Sequence, residues 1–476
     1  MARFVVRTIA IGAMAFPVLG CLTPAAEERI GAAEEARVQE SVGLSDHAAS
    51  AQWVDAVGRR VAAFAPPGVN YRFHVLDMEE PNAFALPGGP VYISRGLLAF
   101  LNSEDELAGV LGHEIGHIAD RHAAGRQRVA TPIAILLGLP AAIVGTIAPG
   151  LGRLATLPAS MAGGAAMASY SRKQEHAADE LGVGYAAAAG YDPAGLASAL
   201  EALEREVALD GDLESEASFF ANHPTTPDRI ERVREHARIQ VTRPRAPIAA
   251  GRDSVLARQV GLMVGPNPKH GTFVGDRYLH PELAFSIRFP SEWKHLNLPE
   301  AVVSLPDVER RDVFVTLRIA GEGDDPFDLF GEDGPDPAIR DRIDRREIAG
   351  LPAASLVLAA EGSVVDLTWL AHGGHIYMIT GVSPPGRARS LAAVFLRVAD
   401  SFAPLSASDL AAIRVERVAV TTAEPGESIA ALVGRSGSTW DAKHVAAANG
   451  WSVAQHLEAD RSVKIAVSQP YGGLVP

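Results

Sequence analysis

The chain of 476 residues has a single cysteine, Cys21, which excludes any intrachain disulfide. It has no basic excess: the formal net charge is −14, which argues against a general nucleic-acid binder with its basic footprint. It also has no clean membrane-length apolar helix beyond its extreme N-terminus. Val129 to Gly152 is uncharged and just long enough to span a bilayer, but Pro132, Pro140 and Pro149, with Gly138 and Gly145, break it into short pieces. That tract is expected to form an apolar helical hairpin or lid, with a transmembrane span as the alternative. The aspartates between Asp324 and Asp336 do not have EF-hand spacing and read as a solvated loop. What remains is a chain long enough for several domains, with 47% hydrophobic residues to fill their cores.

Against that background one stretch stands out, His113-Glu114-Ile115-Gly116-His117, the only H-E-x-x-H in the sequence. Ser103 and Glu106 upstream read as a capping box, so a helix begins there, with Leu107, Val110, Leu111 and Ile115 as its apolar face. Four residues is about one helical turn, so His113 and His117 leave the same face and can share one zinc ion. Glu114 lies one residue off that face, where it suits a general base that is not itself a ligand. Downstream, Glu175 and Asp179 sit a turn apart on a second expected helix. In the two-histidine, one-glutamate zinc class the third ligand comes from such a helix, and Glu175 is the candidate. Asp179 is placed to accept a hydrogen bond from a ligating imidazole and fix its tautomer. His122 is read as pointing away from the ligand face, with a role at the surface or behind the ligands rather than ligation, and His74 and His176 as outside the ligand set.

The N-terminus reads as a processing segment. Arg3 and Arg7 precede the apolar run from Thr8 to Gly20, and Val18-Leu19-Gly20-Cys21 resembles a bacterial lipobox. The expectation is a signal peptide over 1–20, lipidation at Cys21 and a tether over 21–44. With Leu22 next to it, Cys21 points to a periplasmic protein anchored in the outer membrane; an inner-membrane location is the alternative.

The motifs then converge. His113 to His117, Glu175 with Ala178-Asp179, and His223-Pro224 with Arg229-Ile230 together resemble the HtpX/BepA-related zinc metalloproteases, relatives of the CAAX prenyl endopeptidases. Asn82-Ala83-Phe84, Gly88-Gly89 and Val91-Tyr92-Ile93 are similar to that family's edge strand ahead of the zinc helix. The resemblance covers roughly residues 45–240. It implies one zinc per chain held by His113, His117 and Glu175, with Glu114 as the catalytic base. It implies that the strand carrying Gly89, Val91 and Ile93 pairs with extended substrate. It also implies that His223 approaches the metal, either as a fourth ligand that quiets the resting enzyme or as an oxyanion donor, and that Arg229 orients that loop or binds substrate. The expected substrates are unfolded or misassembled envelope proteins. No helical repeat follows the motif region, so partner docking of the BepA branch is not implied.

The rest of the chain changes character. Over 251–405, strand-like runs at Thr272-Phe273, Phe285 to Pro290, Val313 to Ile319 and His375 to Thr380 precede an amphipathic stretch, Ala388 to Phe402. Residues 412–468 read strand, helix, helix, strand and resemble a degenerate LysM module, implying peptidoglycan contact or else a structural cap. The expected architecture is therefore α+β and multidomain. A mainly helical zincin-like domain with a small sheet spans 45–245, followed by an antiparallel-sheet α+β domain and a βααβ module.

Overall fold

The computed structural model describes residues 24–122, 129–130, 165–166, 170–210, 219, 223, 227–242, 245–298, 301–307, 312–330, 337–360 and 362–472. The expected signal peptide and Cys21 lie outside these residues. So does the apolar tract, except for Val129–Ala130, which pairs antiparallel with Ala165–Ala166. Among the described residues no helix is long and apolar enough to cross a membrane.

The described chain is α+β and built on several cores. In the first, helix α1 (Pro24–Ser41) and α2 (Ala48–Ala62) precede strands β1 (Arg72–Leu76), β2 (Ala83–Ala85) and β3 (Pro90–Ser94). Helices α3 (Arg95–Phe100), α4 (Glu104–Ala119), α5 (Arg172–Ala188), α6 (Gly195–Asp210) and α7 (Pro227–Arg238) follow. Trp53, Val57 and Val61 of α2 and Leu107, Val110, Leu111 and Ile115 of α4 are all buried in one apolar cluster, as their helical spacing requires. The segment expected to be a tether or a frayed helix is the docked helix α1. Its Glu35 pairs with Arg72 at 2.8 Å, and Val38 packs over Tyr92 and Leu86 on the outer face of the sheet.

The small sheet has the order β1-β3-β2, with β1 parallel and β2 antiparallel to β3. The strand carrying Val91 and Ile93 is thus the middle one, not an edge, which corrects the expectation for Gly89, Val91 and Ile93. The cause is local: Gly88 and Gly89 take positive φ values of 82° and 121°, so the chain from Ala83 folds back as a hairpin and β2 covers that side of β3. β2, packed against α4, becomes the outer strand.

A seven-stranded antiparallel sheet dominates the next region. Its strands, from one edge to the other, are Lys294–Leu298, Ala301–Leu305, Phe314–Glu322, His375–Ser383, Ser363–His372, Leu351–Ala360 and Asp344–Ile348. The helix Ala388–Asp400 packs on one face through Leu391, Phe395 and Val398. On the other face, Phe327, Leu329 and Phe330 pack against the cluster around Trp369.

The division expected at residue 251 shifts. Helix α8 (Gly251–Gln259) and the strand Met263–Val264 pack on the first core through Val255, Leu262 and Val264. Met263–Val264 also pairs with Arg414–Thr422, which pairs with Ser462–Pro470. The helices Ile429–Ser436 and Ala442–Asn449 complete the C-terminal βααβ unit. That unit is joined to the first core by a fully buried lysine. Lys464 donates to the carbonyls of Ala99 (2.6 Å) and Leu101 (2.9 Å) at the end of α3 and to Gln259 Oε1 (3.1 Å). Burial, with the Arg252 charge, pulls its pKa well below the ordinary lysine value. Lys464→Met leaves the carbonyl of Ala99 without this donor and disrupts the junction. The expected cost is about 2 kcal/mol, read as an earlier urea transition and faster tryptic release of the C-terminal unit. An unchanged transition would show that the junction does not depend on this side chain.

Candidate metal centre

Helix α4 starts as its sequence dictates. Ser103 Oγ accepts from Glu106 N–H at 3.0 Å, while the Glu106 carboxylate reaches back one residue further than in a standard box, to Asn102 N–H. Helix α5 starts with a complete capping box between Ser171 and Gln174. The two helices cross unusually closely because glycines face each other. A Cβ on Gly112 would lie 2.7 Å from Gly182 O, and one on Gly182 only 2.5 Å from His113 N. This close approach lets short acidic side chains on α5 reach the histidines of α4.

The result is a buried cluster. His113, His117, Glu175 and His223 each offer a ligand atom, all within 4.8 Å of one another. His113, Glu114, His117 and His223 are fully buried, and Glu175 and Arg229 are only 1% exposed. His113 Nε2 is 3.0 Å from His117 Nε2 and 3.1 Å from His223 Nδ1. One imidazole nitrogen either donates or accepts and cannot satisfy both neighbours, whereas a cation accepts lone pairs from all three. The donor set therefore fits a metal ion. Its nitrogens and single carboxylate match zinc. Glu114 flanks the cluster, its Oε1 3.5 Å from His223 Nε2, and among the described residues neither of its carboxylate oxygens has a hydrogen-bond partner. Phe219 stacks on the His223 ring at 4.5 Å.

Beneath the cluster lies an ion-pair network. Asp179 Oδ1 is 2.8 Å from His113 Nδ1 and 2.8 Å from Arg229 Nη2, while Arg229 Nε donates to Asp179 Oδ2 at 2.9 Å. Arg229 Nη1 lies 2.8 Å from Glu175 Oε2 and donates to the His223 carbonyl at 3.3 Å. Of the two roles expected of Arg229, orienting the His223 loop or binding substrate, the arrangement agrees with the first. The Arg229 guanidinium is buried and engaged by two carboxylates and a carbonyl, so it braces the site from behind.

For His117 and Glu175 the electrostatics agree with ligand chemistry. Burial, outweighing Glu175, holds His117 well below the usual imidazole range and therefore neutral. Burial alone would raise the Glu175 and Asp179 carboxyls. The surrounding histidines overturn that for Glu175, and Arg229 with His113 overturns it for Asp179, so both stay ionised. Burial opposes protonation of His113, but the Asp179 hydrogen bond and charge pull its pKa up.

His122 is not in the ligand group, but its side chain turns back toward it instead of pointing away, with Nδ1 3.0 Å from His117 Nδ1. The signal that repositions it is conformational: Arg121 adopts φ 55° and turns the chain back onto the helix. His176 is not part of the cluster. His74 is a strand residue, its ring stacked at 5.4 Å on Tyr92.

A helix presenting His-Glu-x-x-His to a carboxylate from a neighbouring helix defines a metallopeptidase-type centre. Residues 48–237 match the profile of peptidase family M48. The chain is 30% identical over 178 residues to mitochondrial metalloendopeptidase OMA1 of Schizosaccharomyces pombe, covering 37% of this chain and 50% of that one. It is 32% identical over 222 residues to a putative beta-barrel assembly-enhancing protease of Vibrio cholerae, covering 44% of each. It is 31% identical over 167 residues to metalloprotease YcaL of Escherichia coli, covering 35% of this chain and 61% of that one. The chain thus spans about half the length of the curated relatives it matches.

Proposed function

We propose that this protein is a zinc-dependent endopeptidase of the bacterial cell envelope that cleaves unfolded or misassembled envelope proteins. The observation that carries the reading is the buried convergence of His113, His117, Glu175 and His223 with the unbonded Glu114 carboxylate beside them. His113, His117 and Glu175 hold the ion. Zinc bound there would polarise the scissile carbonyl and lower the pKa of water toward ~7. Glu114 takes the proton of the attacking water and passes it to the leaving amine. Asp179 orients His113, and Arg229 sets both acids. Extended substrate pairs with the outer edge of β2, the strand packed against α4. The names of the relatives from Vibrio cholerae and S. pombe, an assembly-enhancing protease and a metalloendopeptidase, support the reaction class.

His223 sets the resting state. With its Nδ1 3.1 Å from both His113 Nε2 and Glu175 Oε1, it fills the position a substrate carbonyl needs. His223→Ala is expected to retain zinc and raise casein cleavage several-fold. A fall in cleavage would assign His223 to oxyanion stabilisation instead. The complete burial of Glu114 and His223 also supports a second reading, a chaperone or wall-attached scaffold with a latent site. Zinc-loaded protein that binds unfolded casein and never cleaves it, in wild-type or His223→Ala form, would favour that reading.

The anchor belongs to the same proposal. Lipidation at Cys21 ties the protein to the outer membrane, and release of Cys21→Ser into the soluble periplasm tests it. The C-terminal βααβ unit is the candidate peptidoglycan contact, testable by pull-down with purified sacculi.

A further inference from the structure

Each metal-facing histidine needs something to hold its far nitrogen. For His113 that partner is Asp179, 2.8 Å from Nδ1. For His117, among the described residues, no carboxylate fills the role; His122 does, its Nδ1 3.0 Å from His117 Nδ1. We propose that His122, backed by Asp120, is a positioning residue that fixes the tautomer and ring orientation of His117 for the metal. This inference rests on the zinc-site reading above.

The proton count leaves one arrangement in which His117 serves as a ligand. His117 Nε2 must carry a lone pair toward the cluster, where it lies 3.0 Å from His113 Nε2 and 3.3 Å from Glu175 Oε1. The His117 proton therefore sits on Nδ1 and is donated to His122 Nδ1. His122 must then carry its own proton on Nε2, and Nε2 lies 2.8 Å from Asp120 Oδ2, an acceptor. The chain Asp120–His122–His117 runs in one direction, with every donor facing an acceptor. The Tyr170 ring, stacked on His117 at 3.6 Å and 13°, fixes the plane in which that hydrogen bond is made.

The backbone is bent to achieve this. Helix α4 ends at Ala119, and Arg121 takes the left-handed region, uncommon for a residue with a side chain. That single residue turns His122 back over the last helical turn, leaving its side chain 7% exposed. Glu27 of α1 holds the Arg121 guanidinium at 2.6 Å, so the docked N-terminal helix supports the turn.

The test separates the acceptor from the bulk of the ring. His122→Phe keeps an aromatic ring and removes the acceptor; His122→Asn places an amide oxygen where Nδ1 was. Zinc affinity is measured by chelator competition on the full chain, with melting of the metal-free proteins alongside. Loss of such a partner weakens metal binding by about 10–100-fold. The expected result is that loss in His122→Phe, near wild-type affinity in His122→Asn and equal melting of all metal-free forms. Equal weakening in both variants, or wild-type affinity in His122→Phe, would overturn the proposal while leaving the zinc site standing. Wild-type protein that takes up no zinc would overturn the site itself and this inference with it.

Discussion

Glu114→Gln is expected to fold normally, carry one zinc per chain and lose casein cleavage by at least about 10³-fold, within the range that proton transfer by a positioned side chain contributes. The substitution is isosteric, and among the described residues Glu114 makes no hydrogen bond whose loss would unfold the helix. It is not one of the four residues whose ligand atoms converge. What the change removes is the ability to accept a proton beside the cluster. Full activity in this variant would eliminate Glu114 as the base. Loss of zinc would show instead that its role is structural.

The largest expected effect on stability is at Arg229. Arg229→Met leaves Asp179 without its bidentate partner and Glu175 without its counter-charge, both in the interior. Breaking a buried ion pair from one side costs about 3–5 kcal/mol, because the remaining charges stay buried and uncompensated. The cost should appear as a large fall in the urea midpoint together with weaker zinc binding, since both acids lose their orientation. Arg229→Lys is not expected to rescue, because a point charge cannot reproduce the fork that grips Asp179 while touching Glu175 and the His223 carbonyl. Adding Asp179→Asn to Arg229→Met should recover part of the stability. A neutral Arg229→Met would show that the network contributes little.

The sequence showed which residues on these two helices converge because helical spacing and acid placement are local signals. Ser103 marks where α4 begins, and the four-residue steps from His113 to His117 and from Glu175 to Asp179 fix which side chains share a face. What it did not show depends on tertiary contact or on single backbone angles. The place of Val91 and Ile93 in mid-sheet follows from a hairpin at Gly88-Gly89 that leaves only three residues for β2. His122 reaches His117 only because Arg121 turns left-handed. Arg229 looked available to substrate because nothing local tells that two acids 50 and 54 residues upstream enclose it. The strands Leu351–Ala360 and Ser363–His372 were missed because their apolar runs lack clean alternation, each face of that sheet being covered. The docking of the βααβ unit through Lys464 had no sequence signal, since a lysine in a strand ordinarily faces water.

The most direct test of a zinc peptidase centred on His113, His117 and Glu175 is metal content paired with cleavage. Purified wild-type protein and Glu175→Ala are assayed for bound metal and casein hydrolysis, before and after chelation and zinc return. Zinc near one per chain is expected in the wild type. Cleavage is expected to be abolished by the chelator and restored by zinc, with neither metal nor cleavage in Glu175→Ala. Wild-type protein without stoichiometric metal, or casein cleavage that survives both chelation and Glu175→Ala, would contradict that reading.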